Sequence, residues 1–586
     1  MHSGPLDLTE ELDAGSPHFQ VKYIGEPGAA ITGAVRIPKT AFSSPNAQGI
    51  VTANLFSCCG INVSALGGGL ANPYPQTLPE LISGKKAQII ARHPNIDDSG
   101  TWQWVGFSNI TNAANMSFDF ADTQTAMLWE RALSSSPEKE LWVHGFFKFD
   151  WRDTFVKIKS IVKSNGAYTF TRDASTPPAY AFTDGFRMYA LGSLDFLDAK
   201  GEYFIDAEGT LHYLPASPSC LDDMYLSVNA SVITLPSYHT LENVDVFGST
   251  SSLLQTASLQ RRELVHDLFD DIDPYRAVAS STSNVLVKNC TLSAAASSCA
   301  ALSGTNVSFE GNTVTGCGAS GVFVTGGDVG KLLPSDNRVT GNTFEKFSRI
   351  RRTYTPGLAF GGVGLYAARN TITDAPHTGV QGGCVNCLFE HNALSELCYG
   401  TIDVGAFYVG RSWAQRGNVF RFSSIKNVRS KEKLAQQSCS QNGFYLDDQM
   451  SGWTFASNDV ENCSQGVLLG GGRRNIIVNN TFRDNDVHVA FDNRGMNWEA
   501  SSCNYNCSSS LGTSCFRVAL EAVHYQSPPY SEAFPELVRI YDDQPCVPVY
   551  NSISNNAFCG SASALINRDA ATIASWKSIA ENNIRC

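Results

Sequence analysis

The feature that most restricts the fold is a repeat that starts near residue 284. Each unit is a short β-type run, then Asn-x-apolar, then a Gly-led apolar strand. It is marked by NVSFEGNTV (306–314), DNRVTGNTF (336–344), GLYAARNTI (364–372) and NCLFEHNAL (386–394). It continues in NVFRFSSI (418–425), GWTFASNDV (452–460), RNIIVNNTF (474–482), NSISNNAF (551–558) and SIAENNI (578–584). The anchors are 312, 342, 370, 392, 423, 458, 480, 556 and 582, and the shortest spacing is 22 residues. A unit this short cannot bury its own apolar face, so units must stack. Alternation at period 2, with no helical pattern between strands, makes the stack an all-β, right-handed parallel β-helix. Asn at one corner fits this, because it tolerates αL turns and its amide can bond to the Asn one rung away.

The front half differs. Residues 54–218 hold aromatic-rich β runs, LWVHGFFKFDW (141–151) and GEYFIDAEGTLHYLP (201–215), without the Asn repeat. The DAEGT turn reads as a hairpin. The expected organisation is first β-helix rungs in 1–53, an inserted β-sandwich-like domain in 54–218, and the main β-helix in 219–586. The opening LDLTEELDAGSPHFQVKYIGEPGAAITGAV already reads as mid-domain strands, and residues 1–30 show no apolar signal core. The sequence is therefore expected to start downstream of a leader, with the N-terminal part of the helix missing.

A net charge of −12 argues against nucleic acid as the main partner. No run of 18 apolar residues offers a membrane span. The 17 cysteines are scattered, and the lone CxxC (Cys384, Cys387) lacks a second, so no zinc site is expected. The odd count leaves a thiol free or paired between chains. N-x-S/T sequons stand at Asn62, Asn109, Asn115, Asn229, Asn289, Asn306, Asn462, Asn479 and Asn506. With the cysteines they point to a secreted, disulfide-containing glycoprotein.

Chemistry concentrates on one strand column. Its successive members GVFVTGG, GVQGG, AFYVGR, FYLDDQ, VLLGGG and VAFDNRG overlay between residues 321 and 495. Alternation turns Phe444 and Leu446 inward and Tyr445 and Asp447 outward, with Asp448 at the strand end. Gly410 and Gly470 to Gly472 then leave a groove floor. Asp492 overlays on Asp447 two rungs away, about 10 Å. Asp403 precedes its strand on the rung before, so it meets Asp447 only through a bend. The pattern reads as a general acid and base for a glycosidic bond, one carboxyl kept protonated by its negative neighbours. A calcium site or a plain turn is the blander reading of Asp447 and Asp448. Tyr408, Arg411, Trp413, Tyr445, Arg494 and His377 are the expected substrate-binding residues. Arg349, Arg351, Arg352, Arg473 and Arg474, if on the same face, favour a carboxylated or sulfated glycan.

The order PHTGV, IDVGAFYVGR, RGNVFR, FYLDD, LLGGGR and FDNRG resembles right-handed parallel β-helix proteins related to glycoside hydrolase family 141. PELISGKKAQIIARHPN and LDFLDAKGEYFIDAEGTLHYLP resemble segments of the same group. The resemblance implies a β-domain inserted in a β-helix and glycan cleavage, such as α-L-fucosidase or xylanase activity, through two aspartates. These carry over to Asp403 with Asp447 or Asp448, with Asp492 in reserve. The chain departs from the group in its cysteines, its sequons and the long 429–441 loop.

The expected function is thus a secreted glycoside hydrolase acting on a polysaccharide, with no cofactor required and structural calcium as an option. One alternative is a structural or adhesive extracellular protein that self-associates through its odd cysteine. The other is a polysaccharide lyase or epimerase acting on uronates.

Overall fold

The computed structural model describes residues 2–3, 6–7, 21–63, 78–136, 141–164, 166–256, 282–436, 440–507 and 515–586. Three long parallel sheets, of 13, 12 and 12 strands, run the length of a right-handed β-helix. Its core is a continuous apolar column, in which Phe407 stacks on Phe444 at 4.9 Å and Phe420 on Phe455 at 5.5 Å.

The Asn repeat becomes a buried ladder. The Asn342 N–H donates to Asn370 Oδ1 (3.0 Å), and its Nδ2 donates to Asn370 Oδ1 (2.9 Å) and to the Phe309 carbonyl one rung back (2.9 Å). Asn370 repeats the pattern onto Asn392 and Val339. At 423 a serine stands in: Ser423 Oγ accepts from the Asn392 N–H (3.0 Å), and its own N–H donates to Asn458 (3.0 Å). The left-handed turn is made by the residue before each anchor: Gly311, Gly341, Arg369, His391, Phe422, Ser457, Asn479, Asn555 and Asn582 all have φ between 51° and 67°. The last rung therefore corrects the repeat by one position. Asn582 makes the turn, and Asn583 joins the ladder by accepting from Asn556. A second, shorter ladder of Asn418, Asn475 and Asn551 serves another corner.

Strands Val21–Ile24 and Ala30–Thr32 pair in parallel with later rungs and belong to the β-helix. Ala34–Ile37 already pairs with Met224–Ser227, and Val51–Asn54 with Thr210–Tyr213, both antiparallel. Strand pairing thus places the insertion at about 34–227, and residues 34–53 go with it rather than with the first rungs. The insertion holds an eight-stranded antiparallel sheet and two four-stranded ones. Helix Thr123–Ser135 covers the large sheet with Ala126, Trp129, Ala132 and Leu133. Its N-terminus is capped by Asp122, which accepts from the Thr125 N–H at 3.1 Å.

A buried ionic network joins insertion to helix. Glu432 accepts from Trp104 Nε1 (2.9 Å), Arg187 Nη1 (3.4 Å) and Arg352 Nη2. Arg187 also donates to Asp150 (2.5 Å) and to the Gly400 carbonyl (2.6 Å). A second excursion, between Asp492 and Ser552, is helical where no helix was expected. It includes Phe516–Ala522 and Tyr530–Ala533 and is tied by Cys503–Cys546 and Cys507–Cys515. Further disulfides join Cys58–Cys59, Cys299–Cys317, Cys384–Cys387 and Cys559–Cys586. Among the described residues Cys220, Cys290, Cys398 and Cys463 are free, so more than one thiol stays unpaired; Cys439 lies outside them.

Asn370→Ala should strand the buried N–H of Asn342, at a cost of about 1–3 kcal/mol for each group left without a partner. Ser423→Asn, which completes the ladder, should leave the denaturant midpoint unchanged or raise it. Equal midpoints for Asn370→Ala and wild type would show that the ladder does not hold the rungs.

Candidate functional site

Six successive strands of one 12-stranded sheet carry the site: β1 (Leu358–Val363), β2 (Val380–Val385), β3 (Val404–Gly410), β4 (Gln441–Asp447), β5 (Gln465–Gly470) and β6 (Val487–Asp492). Tyr408 on β3 pairs with Tyr445 on β4, and Gly410 with Asp447. Continuing the Leu446–Leu469 register brings Asp447 beside Gly470, which pairs with Asp492. Phe444 and Leu446 are in the core, so Tyr445 and Asp447 project to the outer face.

Asp403, at φ 52°, turns just before β3, while Asp447 ends β4. Two crossed tyrosines span the distance between them. Tyr445 donates to Asp403 Oδ1 (2.9 Å) and Tyr408 donates to Asp447 Oδ2 (2.7 Å). The rings meet edge-on at 5.3 Å.

Arg494 gathers three carboxylates. Its Nη1 donates to Asp447 Oδ1 and to Asp448 Oδ1 (3.0 Å), and its Nη2 to Asp492 Oδ2 (2.7 Å). Arg411 pairs with Asp448 Oδ2 at 2.5 Å, and the Asp448 N–H donates to Asp447 Oδ1 (2.9 Å). The glycines make room for this guanidinium rather than an open floor. A Cβ on Gly470 would lie 2.9 Å from Arg494 Cζ, and one on Gly471 would lie 2.8 Å from its Cγ. Asp492 reaches Asp447 only through Arg494.

Burial and the Asp447 charge push Asp403 up to about 6. Burial also works to raise Asp447, but the Arg494 charge and the Tyr408 hydroxyl outweigh it and hold the group below the usual carboxylate range. Burial and the Asp447 charge push Asp448 up to about 7, against the pull of Arg411 and Arg494. Tyr408 and Tyr445 are held protonated, by burial and by the same carboxylates.

The remaining expected residues lie elsewhere. Trp413 is buried in the helical excursion, against Phe516 (4.8 Å) and Tyr541 (5.7 Å), and offers no face to a ligand. His377 is buried behind Tyr354, whose N–H donates to its Nδ1 at 3.4 Å, and burial pushes the imidazole down to about 3. Three of the five arginines expected to face a charged glycan are structural. Arg349 pairs with Glu80 (3.0 Å), Arg352 with Glu432, and Arg473 with Asp543 (3.1 Å). Arg474 lies over Tyr550 at 4.6 Å. Sequons Asn62, Asn109, Asn115, Asn289, Asn306, Asn479 and Asn506 are exposed, whereas Asn229 and Asn462 are half-buried and bonded to Gly33 and Asn427.

The docked insertion and the rod together form an aromatic cluster that sequence reading missed. Tyr354 of the rod, half-buried and in electrostatic contact with Asp403 and Asp447, packs edge-on against Trp151 of the insertion at 6.4 Å, with Arg152 over its ring. Phe149 stacks on Trp151 at 5.0 Å, and Tyr180 meets both edge-on. The run FKFDW (147–151) was visible as aromatic-rich, but nothing in the sequence placed it beside Asp403. Asp447 and Asp448 face guanidinium groups where a calcium ion would need them. Among the described residues no group of three or more His, Cys, Asp or Glu is arranged for a metal.

Comparison with known proteins bears on the fold. The family described as "Right handed beta helix region" matches residues 276–427, and "Periplasmic copper-binding protein (NosD)" matches 415–511, together less than half of the chain. Neither is glycoside hydrolase family 141. No curated protein matches. A solved structure titled "Glycoside hydrolase" is similar over 99% of this chain and 88% of its own, at 10% identity and TM-score 0.48. The XylC complex with xylose is similar over 94% and 77%, at 10% identity and TM-score 0.32. The GH136 lacto-N-biosidase from Eubacterium ramulus is similar over 62% and 52%, at 10% identity and TM-score 0.26. The match to the β-helix family agrees with the strand register.

Replacing Arg494 by Met should leave Asp447 and Asp448 facing each other, a loss of about 3–5 kcal/mol typical of a broken buried pair. Asp447 is depressed in the folded state, so the stability it contributes is present above the ordinary carboxylate range and is lost as pH falls through its folded value. Protonation relieves the repulsion in the variant, so the gap to wild type should be smaller at pH 5 than at pH 7.5. A gap that is constant or widens on acidification would count against this charge arrangement.

Proposed function

We propose that the protein is a glycoside hydrolase, related to family 141, in which Asp403 is the general acid and Asp447 the ionised partner. The observation that carries this is that Arg494 and Tyr408 both bond Asp447 whereas Asp403 is met only by the Tyr445 hydroxyl, so that burial pushes Asp403 up to about 6 while Asp447 is held down. Pairs driven apart in this way divide acid and base roles. Asp403 gives its proton to the glycosidic oxygen as that bond breaks, and the Asp447 carboxylate meets the positive charge that develops at the anomeric carbon. A water adds to that carbon and releases the proton that restores the carboxyl pair. Asp448 and Asp492 hold Arg494 in place rather than react. Arg411 is exposed and Tyr408 half-buried at the edge of the cluster, where a sugar can reach them. The disulfides suit a secreted or periplasmic setting.

The lyase reading needs a Lys, Arg, His or Tyr that takes a proton from the sugar. Tyr408, Tyr445, Arg411 and Arg494 are all held in their protonated forms, and His377 is enclosed.

Screening the purified protein against a glycan panel, followed by Asp403→Asn, tests the proposal. Asparagine can still accept from Tyr445, so the variant should melt like wild type while hydrolysis falls about 10²–10⁴-fold. Asp447→Asn should lose activity and also some stability, since it breaks the Arg494 pair. Full hydrolysis in both variants would refute the assignment.

The pH profile follows from the same pair. Activity should fall as pH rises through about 6, when Asp403 loses its proton. It should persist into acid below the ordinary carboxylate range, because Asp447 stays ionised there. A rate still climbing from pH 6 to 8 would exclude Asp403 as the acid.

A further inference from the structure

A trough of about 620 Å³ runs along the Asn-ladder corner, separated from the aspartate cluster by the sheet that contains Asn418–Arg421. One end is a built aromatic face. Phe422 has φ 51° and is 49% exposed. An exposed aromatic ring on a left-handed turn is unfavourable twice over, and the fold needs neither, since Gly or Ser fills the same position on other rungs. Beneath it His391 stacks at 5.4 Å with an interplanar angle of 19°, and the Arg421 guanidinium lies 5.2 Å from the ring centroid. The ring is therefore held in orientation.

The next rung carries only Ser457 at this position, and the one after carries Asn479. At about 4.8 Å per rung, Phe422 and Asn479 stand about 10 Å apart, with a single hydroxymethyl between them. That gap accepts one six-membered ring lying flat on the Phe422 face. Along its side Arg483 pairs with Asp459, 43% and 35% exposed, and the two offset each other's charge, while Lys426, 3.6 Å from Asp459, is balanced by Glu461 at 2.8 Å. Asn458 and Ser423 below are already bonded within the ladder.

We infer that this trough is a second carbohydrate-binding site, which holds a neutral pyranose on Phe422 and its hydroxyls on Arg483, Asp459 and Asn479. The C–H face of a sugar ring meets the negative face of the arene, and the planar Arg–Asp pair offers donors and an acceptor at fixed positions. Mutual neutralisation of that pair favours a neutral sugar over a uronate. Such a site holds a polymer to the rod and leaves the chemistry at Asp403 untouched. Asn479 is itself a sequon, so a glycan attached there would occupy the same gap.

The test is native gel electrophoresis with mixed-linkage β-glucan, arabinoxylan or galactomannan in the gel. The full chain is made with disulfides in a host that does not add N-glycans. Wild type should be slowed by at least one polymer. Phe422→Gly should weaken that retention about fivefold, as expected for loss of a ring contact. It should melt no lower than wild type, because glycine relieves the left-handed turn. Arg483→Ala should also weaken it. No retention by any of the three polymers would overturn the inference, as would retention by Phe422→Gly equal to wild type. Because the readout is retention, a protein that binds but does not hydrolyse would refute the proposed activity and leave this site standing.

Discussion

One buried side-chain amide per rung sets the register of the whole rod. An asparagine that receives two donors from the rung before and donates back to a carbonyl of that same rung leaves no freedom to slip by a residue. A one-residue slip would turn every outward group into the core. Because register is held at the corner, residues far apart in sequence form straight columns on each face. Asp447 and Asp492 share a column for that reason, and so do Phe422 and Asn479.

On the outer face, charge is organised around a single cation. Arg494 touches Asp447, Asp448 and Asp492, and Arg411 adds a second positive charge on Asp448. Asp403 stands outside these pairs, bonded by a neutral hydroxyl, so burial and repulsion act on it with little compensation. The asymmetry between Asp403 and Asp447 comes from which of them the guanidinium reaches. The glycines at 470 and 471 belong to the same design, since any larger residue would displace that group.

Much of this was legible in the chain. Period-2 alternation and the recurring Asn announced the parallel β-helix, and alternation alone turned Asp447 outward above Phe444 and Leu446. The turn residue and the ladder residue are adjacent, often both Asn, so Asn582 was read for Asn583. What the sequence hid was pairing between distant segments. Arg349, Arg352 and Arg473 looked available because Glu80, Glu432 and Asp543 lie 269, 80 and 70 residues from them. Trp413 looked like a sugar-binding ring because nothing nearby foretold the helical segment that covers it. Tyr354 and Trp151 went unnoticed because their nearness depends on how the insertion docks.

That docking has a consequence for the order of assembly. The insertion leaves the rod near residue 34, yet Arg187 and Trp104 reach Glu432 across sequence gaps of 245 and 328 residues. Glu432 sits in the 429–441 loop, many rungs later. The insertion can form its own sheets early and pair Arg187 with Asp150, but Arg187 then waits for Glu432 and the Gly400 carbonyl, which the ribosome has not yet made. Closing such distant contacts is slow. Trp151 is therefore brought against Tyr354 late, only once the rod is complete enough to receive it.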